Sequence, residues 1–221
     1  MELDEKIVRQ IAELVKKELE KSNINPIAAH SYETKNLQKE YESIFTEKGM
    51  ASKGNDIKEV VIAVAPCFGV EIKHTLNKLS HIDILKEIMA GIEEEGMVTR
   101  IIRVMDTSDV AFIGKKAAML SGSGISIAIQ SKGTTVIHQK DLYPLTNLEL
   151  FPQAPIITLA MYRHIGKNAA KYAKGLRVKP VPVQNDYMCR PKFQVKAAIM
   201  HIKETEKIDK QAPSIELQFK G

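Results

Sequence analysis

KEVVIAVA (Lys58–Ala65) is the stretch on which the fold turns. From Val60 to Ala65 it is uninterrupted apolar residues, three of them valine. Such a short β-branched run suits a strand buried on both faces, the kind found inside parallel sheets. Pro66 and Gly69 close it. Next, Ile82–Glu95 sets Ile84, Leu85, Ile88, Met89 and Ile92 on one helical face and stops at Gly96. Val98–Met105 is a second predicted strand. Ser108 is the predicted cap of a helix running to about Leu120, with Val110, Phe112, Ile113 and Ala117 on its apolar side. Gly124–Gln130 is a third strand. Thr134–His138 is a short fourth, after the turn Ser131-Lys132-Gly133. Strands alternating with amphipathic helices predict an α/β fold: a Rossmann-like, mostly parallel sheet flanked by helices.

Downstream, Gln139–Pro155 holds Pro144, Pro152 and Pro155 and shows no regular period. A loop of that length in a compact domain is usually functional. A helix follows over Ile156–Lys174, then a Pro-punctuated loop from Gly175 to Arg190. A last helix spans Pro191–Glu204, with Pro191 suited to its first position. SIELQF (Ser214–Phe219) alternates like an edge strand. Upstream, Leu3, Ile7, Val8, Ile11, Leu14, Val15 and Leu19 predict an amphipathic helical extension over residues 3–21. A helix of that length is marginal alone and needs a surface to pack on. The expected organisation is therefore a helix at 1–21, a polar linker at 22–57, and an α/β domain at 58–221.

The chain has 221 residues, 44% hydrophobic and 27% charged, which fits a globular protein and not a disordered one. No apolar run is long enough to span a membrane, and MELDEKIVRQ lacks the pattern of a secretory signal. Two cysteines, Cys67 and Cys189, exclude a disulfide scaffold and point to a reducing compartment, the cytoplasm. The net charge of +5 is uneven. Ala160–Lys203 holds ten basic residues and a single acid, Asp186. Such a block is either a solvated helix face or a seat for an anionic ligand or partner. With few aromatics and no stacking motif, nucleic acid is not the expected partner.

Self-sufficient catalytic motifs are missing. Ser121-Gly122-Ser123-Gly124 lacks nucleophile-elbow spacing and reads as a tight turn. Gly91 to Gly96 has phosphate-loop spacing but lies in a helix and precedes Met97. After the first strand the chain reads A-P-C-F-G, with no dinucleotide fingerprint. Six scattered histidines form no H-x-x-x-H pair, so no metal site is expected. Cys67 reads as a small buried hydrophobe. No catalytic residue is assigned. An α/β frame with a ligand-shaped loop and no catalytic set favours a binding module or a noncatalytic subunit.

Longer motifs carry a resemblance. LSGSGISIAIQSKGTTVIHQ (Leu120–Gln139), LTNLELFPQAP (Leu145–Pro155), YRHIGKNAAKYAK (Tyr162–Lys174) and RPKFQVKAAIMHIKET (Arg190–Thr205) closely resemble the medium (beta) subunit of adenosylcobalamin-dependent propanediol (diol) and glycerol dehydratases. VVIAVAPCFG, EIMAGIEEEG and TSDVAF extend the likeness over about residues 58–205. The resemblance implies a Rossmann-like subunit covering the lower face of the corrin. The large (alpha) subunit, a TIM barrel, holds substrate and performs the radical dehydration of 1,2-propanediol or glycerol to an aldehyde. A small (gamma) subunit completes a unit that pairs as (αβγ)2. The present chain would thus be a noncatalytic subunit of a hydro-lyase. No histidine stands in a D-x-H-x-x-G motif, in keeping with base-on adenosylcobalamin.

By motif position, the resemblance implies that Asp109 and Lys132 bond corrin side-chain amides or the nucleotide. Asn147 and Pro152 would line the lower face near the benzimidazole, and Arg190 would reach the nucleotide loop or an amide. Phe193 stands where the family carries tyrosine, so a hydroxyl contact is absent there. Medium subunits from microcompartment-forming bacteria carry a short amphipathic N-terminal helix that targets the shell lumen. Residues 3–21 resemble it, and packing on another dehydratase subunit is the other reading. The runner-up function is the small subunit of the dehydratase-reactivating factor, a cobalamin-exchange chaperone that is much shorter and lacks the Leu145–Thr205 motifs. That factor is also an expected partner of the enzyme. Propanediol and glycerol are distinguished in the large subunit, not here.

Overall fold

The computed structural model describes residues 43–221, which form one compact unit. The expected N-terminal helix, and the linker as far as residue 42, lie outside the described residues. Among those described are seven strands and four α-helices. They are β1 (Phe45–Met50), β2 (Glu59–Val64), α1 (His81–Glu94), β3 (Val98–Arg103), α2 (Val110–Leu120), β4 (Ile125–Ile129), β5 (Thr135–Gln139), β6 (Glu149–Phe151), a 3-10 turn (Ala154–Ile156), α3 (Leu159–Ala173), α4 (Cys189–Glu206) and β7 (Ile215–Phe219).

β2 is buried along its whole length. Its alternation feeds two cores. Val60, Ile62 and Val64 point to the side covered by α1 and α3, and Val61 and Ala63 to the side covered by α2. Strand order is β1-β7-β3-β2-β4-β5-β6. β3-β2-β4 is parallel; every other pairing is antiparallel. The α/β class thus holds, with parallel pairing confined to the centre. β4 and β5 are joined by a turn closed by Gly133 N–H to Gln130 O (2.8 Å). A parallel return needs a crossover of a dozen or more residues, so this link forces a hairpin.

Three sequence expectations are corrected. First, the linker does not reach residue 57, nor does the domain begin at 58: Phe45–Met50 is a strand, paired antiparallel with β7. Phe45 is buried against Phe219, ring centroids 6.1 Å apart. Second, the tail strand is not an edge; β7 lies between β1 and β3. Its place is fixed by Arg100 of β3, whose Nε donates to both Glu216 oxygens at 2.9 and 2.8 Å. Third, Asp109 and not Ser108 caps α2: its Oδ1 accepts from the amides of Ala111 (2.8 Å) and Phe112 (3.2 Å).

α1 and α3 pack along a seam where backbones nearly touch. A Cβ on Gly91 would stand 2.2 Å from the Arg163 carbonyl oxygen, and one on Gly166 would stand 2.2 Å from that of Ile88. The Gly91 that mimics phosphate-loop spacing is therefore a helix-packing residue. The Ser-Gly run before β4 is also structural: Ser121 Oγ donates to Glu59 O (3.1 Å), and a Cβ on Gly122 would collide with Asp56 O.

Candidate functional site

In open α/β sheets, ligands sit beyond the carboxyl ends of the parallel strands, where successive connections leave to opposite faces. Here β2 leads to α1 on one face, β3 leads to α2 on the other, and β4 turns directly into β5. Cys67 follows β2, and Ser131 and Lys132 follow β4. α4 crosses this end of the sheet, contributing Met200, with Phe193 and Ala197, to an apolar cluster with Cys67, Ile72, Leu76 and Ala154.

A cleft of about 410 Å³ opens between the β4–β5 turn and α4. Lys132, Thr134, Pro152 and Gln153 stand on the sheet side, and Arg190, Phe193 and Gln194 on the helix side. Four of the six sequence-assigned residues thus meet in one cleft: Lys132, Pro152, Arg190 and Phe193. Asp109 and Asn147 do not line it. One oxygen of the Asp109 carboxylate, Oδ1, is taken by the α2 cap, and its charge still acts on Lys132. Asn147 is half-buried between β5 and β6. Leu76, Thr134 and Gln194 line the cleft without having been assigned from sequence. Leu76 lies in the aperiodic 66–80 loop, and Gln194 was hidden among the polar residues of α4.

The turn bearing Lys132 is held from every side. Ser131 is fully buried. Its amide donates to Glu204 Oε2 (3.1 Å), its hydroxyl to Glu204 Oε1 (2.5 Å), and its carbonyl meets His81 Nε2 at 2.9 Å. The Lys132 carbonyl accepts from Leu76 N–H (3.1 Å). The Gly133 carbonyl accepts from Tyr162 Oη (2.9 Å). The Lys132 ammonium itself forms neither a hydrogen bond nor an ion pair among the described residues. Burial pulls its pKa below the usual lysine value, against the pull of the Glu204 and Asp109 charges.

His81 is neutral and structural. Its Nδ1 accepts from Gly69 N–H (3.0 Å), so the proton is on Nε2, facing Ser131 O. The ring stacks on Phe68 at 3.7 Å between centroids, and burial lowers its pKa to about 3. Cys67 is inert: its Sγ donates to Lys203 O (3.3 Å), and burial, reinforced by Glu204, pushes the thiol up to about 12. Both cysteines are unpaired thiols. Among the described residues no cluster of potential metal ligands occurs. No helix there is long and apolar enough to cross a membrane.

The basic block divides in two. Arg163, Lys167, Lys171 and Lys174, on or just past α3, pair with Glu87 and Glu94 of α1 and with Glu95. Those cations are neutralised within the fold. Arg190, on α4, is exposed and lines the cleft.

Two solved structures resemble part of the chain. The chain is similar to a glycerol dehydratase reactivase at 19% identity and a TM-score of 0.45, covering 54% of this chain and 94% of that one. It is also similar to a diol dehydratase-reactivating factor complexed with ADP and Mg2+ at 23% identity and a TM-score of 0.40, covering 57% of this chain and 95% of that one. A family model described as dehydratase medium subunit matches residues 65–179, more than half of the chain, from the end of β2 to the loop after α3. The chain belongs to the dehydratase medium subunit family and is a noncatalytic subunit of a hydro-lyase whose other subunits are its partners.

Proposed function

We propose that this subunit binds the lower face of base-on adenosylcobalamin in the cleft between the β4–β5 turn and α4. It does so against the large subunit of a propanediol or glycerol dehydratase, in an assembly of paired large, medium and small subunits. The observation that carries the reading is Lys132. It is a cation on a rigid turn at the end of a central strand, with no hydrogen bond or ion pair among the described residues, beside a cleft that also holds Arg190. A half-buried ammonium without such a bond gains from a carbonyl or phosphate acceptor, and cobalamin offers both around its rim.

The chemistry of the lining suits such a ligand. Leu76, Pro152, Phe193 and Ala197 supply apolar surface. Thr134, Gln153 and Gln194 supply hydrogen-bonding groups that match side-chain amides. The cleft is far smaller than a cobalamin, in keeping with one covered face. Among the described residues no histidine lines it, which suits a cofactor that keeps its own lower ligand. Adenosylcobalamin would supply the radical. This chain would orient the cofactor and shield its lower side. Asp109 and Asn147 are proposed as rim contacts reached outside the cleft.

The test is assembly with the large and small subunits, followed by gel filtration of the complex loaded with adenosylcobalamin. The unaltered chain is expected to join the complex stoichiometrically and retain cofactor, and Lys132→Ala to assemble but lose it. A chain that never joins the complex, or a Lys132→Ala complex that retains cofactor as well as the original, refutes the proposal.

A further inference from the structure

We propose that Glu204 is a positioning residue of the cleft, fixing the distance between the Lys132 turn and α4. The residue is 3% exposed, and its carboxylate links α4 to the segments after β2 and β4. Oε1 accepts from Cys67 N–H (3.2 Å) and from Ser131 Oγ (2.5 Å), and Oε2 accepts from Ser131 N–H (3.1 Å). Those two amides sit at the ends of β2 and β4, where a sheet of this topology usually presents donors to a ligand anion. Here the chain's own carboxylate takes them. The anion position is closed, and a ligand is directed to the neighbouring cleft.

The rest of α4 makes the role necessary. Only Cys189, Met200 and Glu204 of the helix are buried. Val195, Ile199 and Ile202 face outward. A helix with so little apolar anchorage is held by polar links. Beside Glu204 these are Cys67 Sγ to Lys203 O, and Lys196 Nζ to Leu76 O (3.0 Å). Arg190 and Phe193 belong to the same rigid helix as Glu204, and Lys132 adjoins Ser131. One carboxylate therefore ties both walls of the cleft together. Replacing it by an amide turns one acceptor into a donor facing donors, and loosens both walls at once.

The inference rests on the cofactor reading above, and the test separates the two. Cobalamin retention is measured on the assembled dehydratase with this chain unaltered, and as Lys132→Ala, Glu204→Gln and the double variant. Lys132→Ala and Glu204→Gln are each expected to weaken retention about tenfold or more. The double variant is expected to be little worse than either, because Glu204 acts through the placement of Lys132. A Glu204→Gln complex with unchanged retention, or a double variant whose loss is the product of the two, overturns the positioning role. No loss with Lys132→Ala overturns the cofactor reading itself. If Glu204→Gln does not assemble, Ser131→Ala removes only the hydroxyl donor, and the same coupling with Lys132→Ala is expected at smaller amplitude; unaltered retention there also overturns the role.

Discussion

Gly166 lies inside α3, where alanine ordinarily improves a helix by about 1 kcal/mol. The structure reverses that sign. A Cβ at Gly166 would lie 2.2 Å from the Ile88 carbonyl oxygen and 3.2 Å from its Cα, both backbone atoms that no rotamer change can move. Ordinary contact begins near 3.4 Å, so α1 and α3 must separate by about 1 Å. A gap of that size forfeits a quarter to a half of the dispersion energy between facing atoms. The seam it opens is built from Ile84, Ile88, Ile92, Ile165 and Ala169. Overpacking of this kind costs about 1–3 kcal/mol, and a clash between backbones belongs at the upper end. After the gain in helix propensity, Gly166→Ala should lose about 2 kcal/mol, a fall in Tm of roughly 4–8 °C. Urea and thermal denaturation of the full chain measure both. Adding Gly91→Ala, which meets the Arg163 carbonyl across the same seam, should cost less than it does alone, because the helices are already apart. A rise in Tm with Gly166→Ala, or strict additivity of the pair, refutes the seam.

Other outcomes follow from single sites. The folded His81 pKa of about 3 lies below its usual 6.5, so its contribution to stability is complete above about pH 6.5 and is lost as pH falls toward 3. Glu204 has a raised folded value and acts oppositely, losing its contribution as pH rises above 4.5. A urea-midpoint series in Glu204→Gln should leave the His81 slope, about 1.4 kcal/mol per pH unit at most; a flat profile from pH 6 to 4 contradicts it. Arg100→Leu should strand Glu216 and release β7, with fast hydrogen exchange at 215–219 and about 1–3 kcal/mol lost. Lysine should not rescue it, since one ammonium cannot reproduce the fork that reaches Glu216 and Glu59; full protection in either variant refutes the tie. Cys67 should resist alkylation at pH 8 in the native protein and react on unfolding; rapid native labelling contradicts its burial.

The central sheet was legible because β2, β3 and β4 are β-branched runs at strand length, and nothing else accommodates them. The antiparallel sense of β5 runs against the mostly parallel sheet expected, because the short turn before it outweighs the helix-strand alternation. β1 was not legible. Thr46, Glu47 and Lys48 are exposed on an outer strand, so the segment carries the charge that protects a sheet edge and reads as linker. β7 then reads as an edge, because nothing in the sequence marks its outer neighbour as a strand. At the site, Lys132, Pro152, Arg190 and Phe193 came from family motifs, and geometry brings them to one cleft. Asp109 caps α2, and a cap and a ligand contact ask for the same residue type after a strand, so the sequence pattern alone does not separate the two roles. Glu204 and His81 gave no signal. One sits in a polar run of a helix and the other begins a helix, and only their three-dimensional partners distinguish them from surface residues.

The most direct measurement is a cryo-electron microscopy structure of this chain assembled with its large and small dehydratase subunits and adenosylcobalamin. Corrin density is expected over the β4–β5 turn and α4, with the Lys132 ammonium in hydrogen-bond distance of an amide or phosphate oxygen and benzimidazole still on the lower face. Cofactor density elsewhere, with the Lys132 cleft filled by protein, contradicts the proposed function.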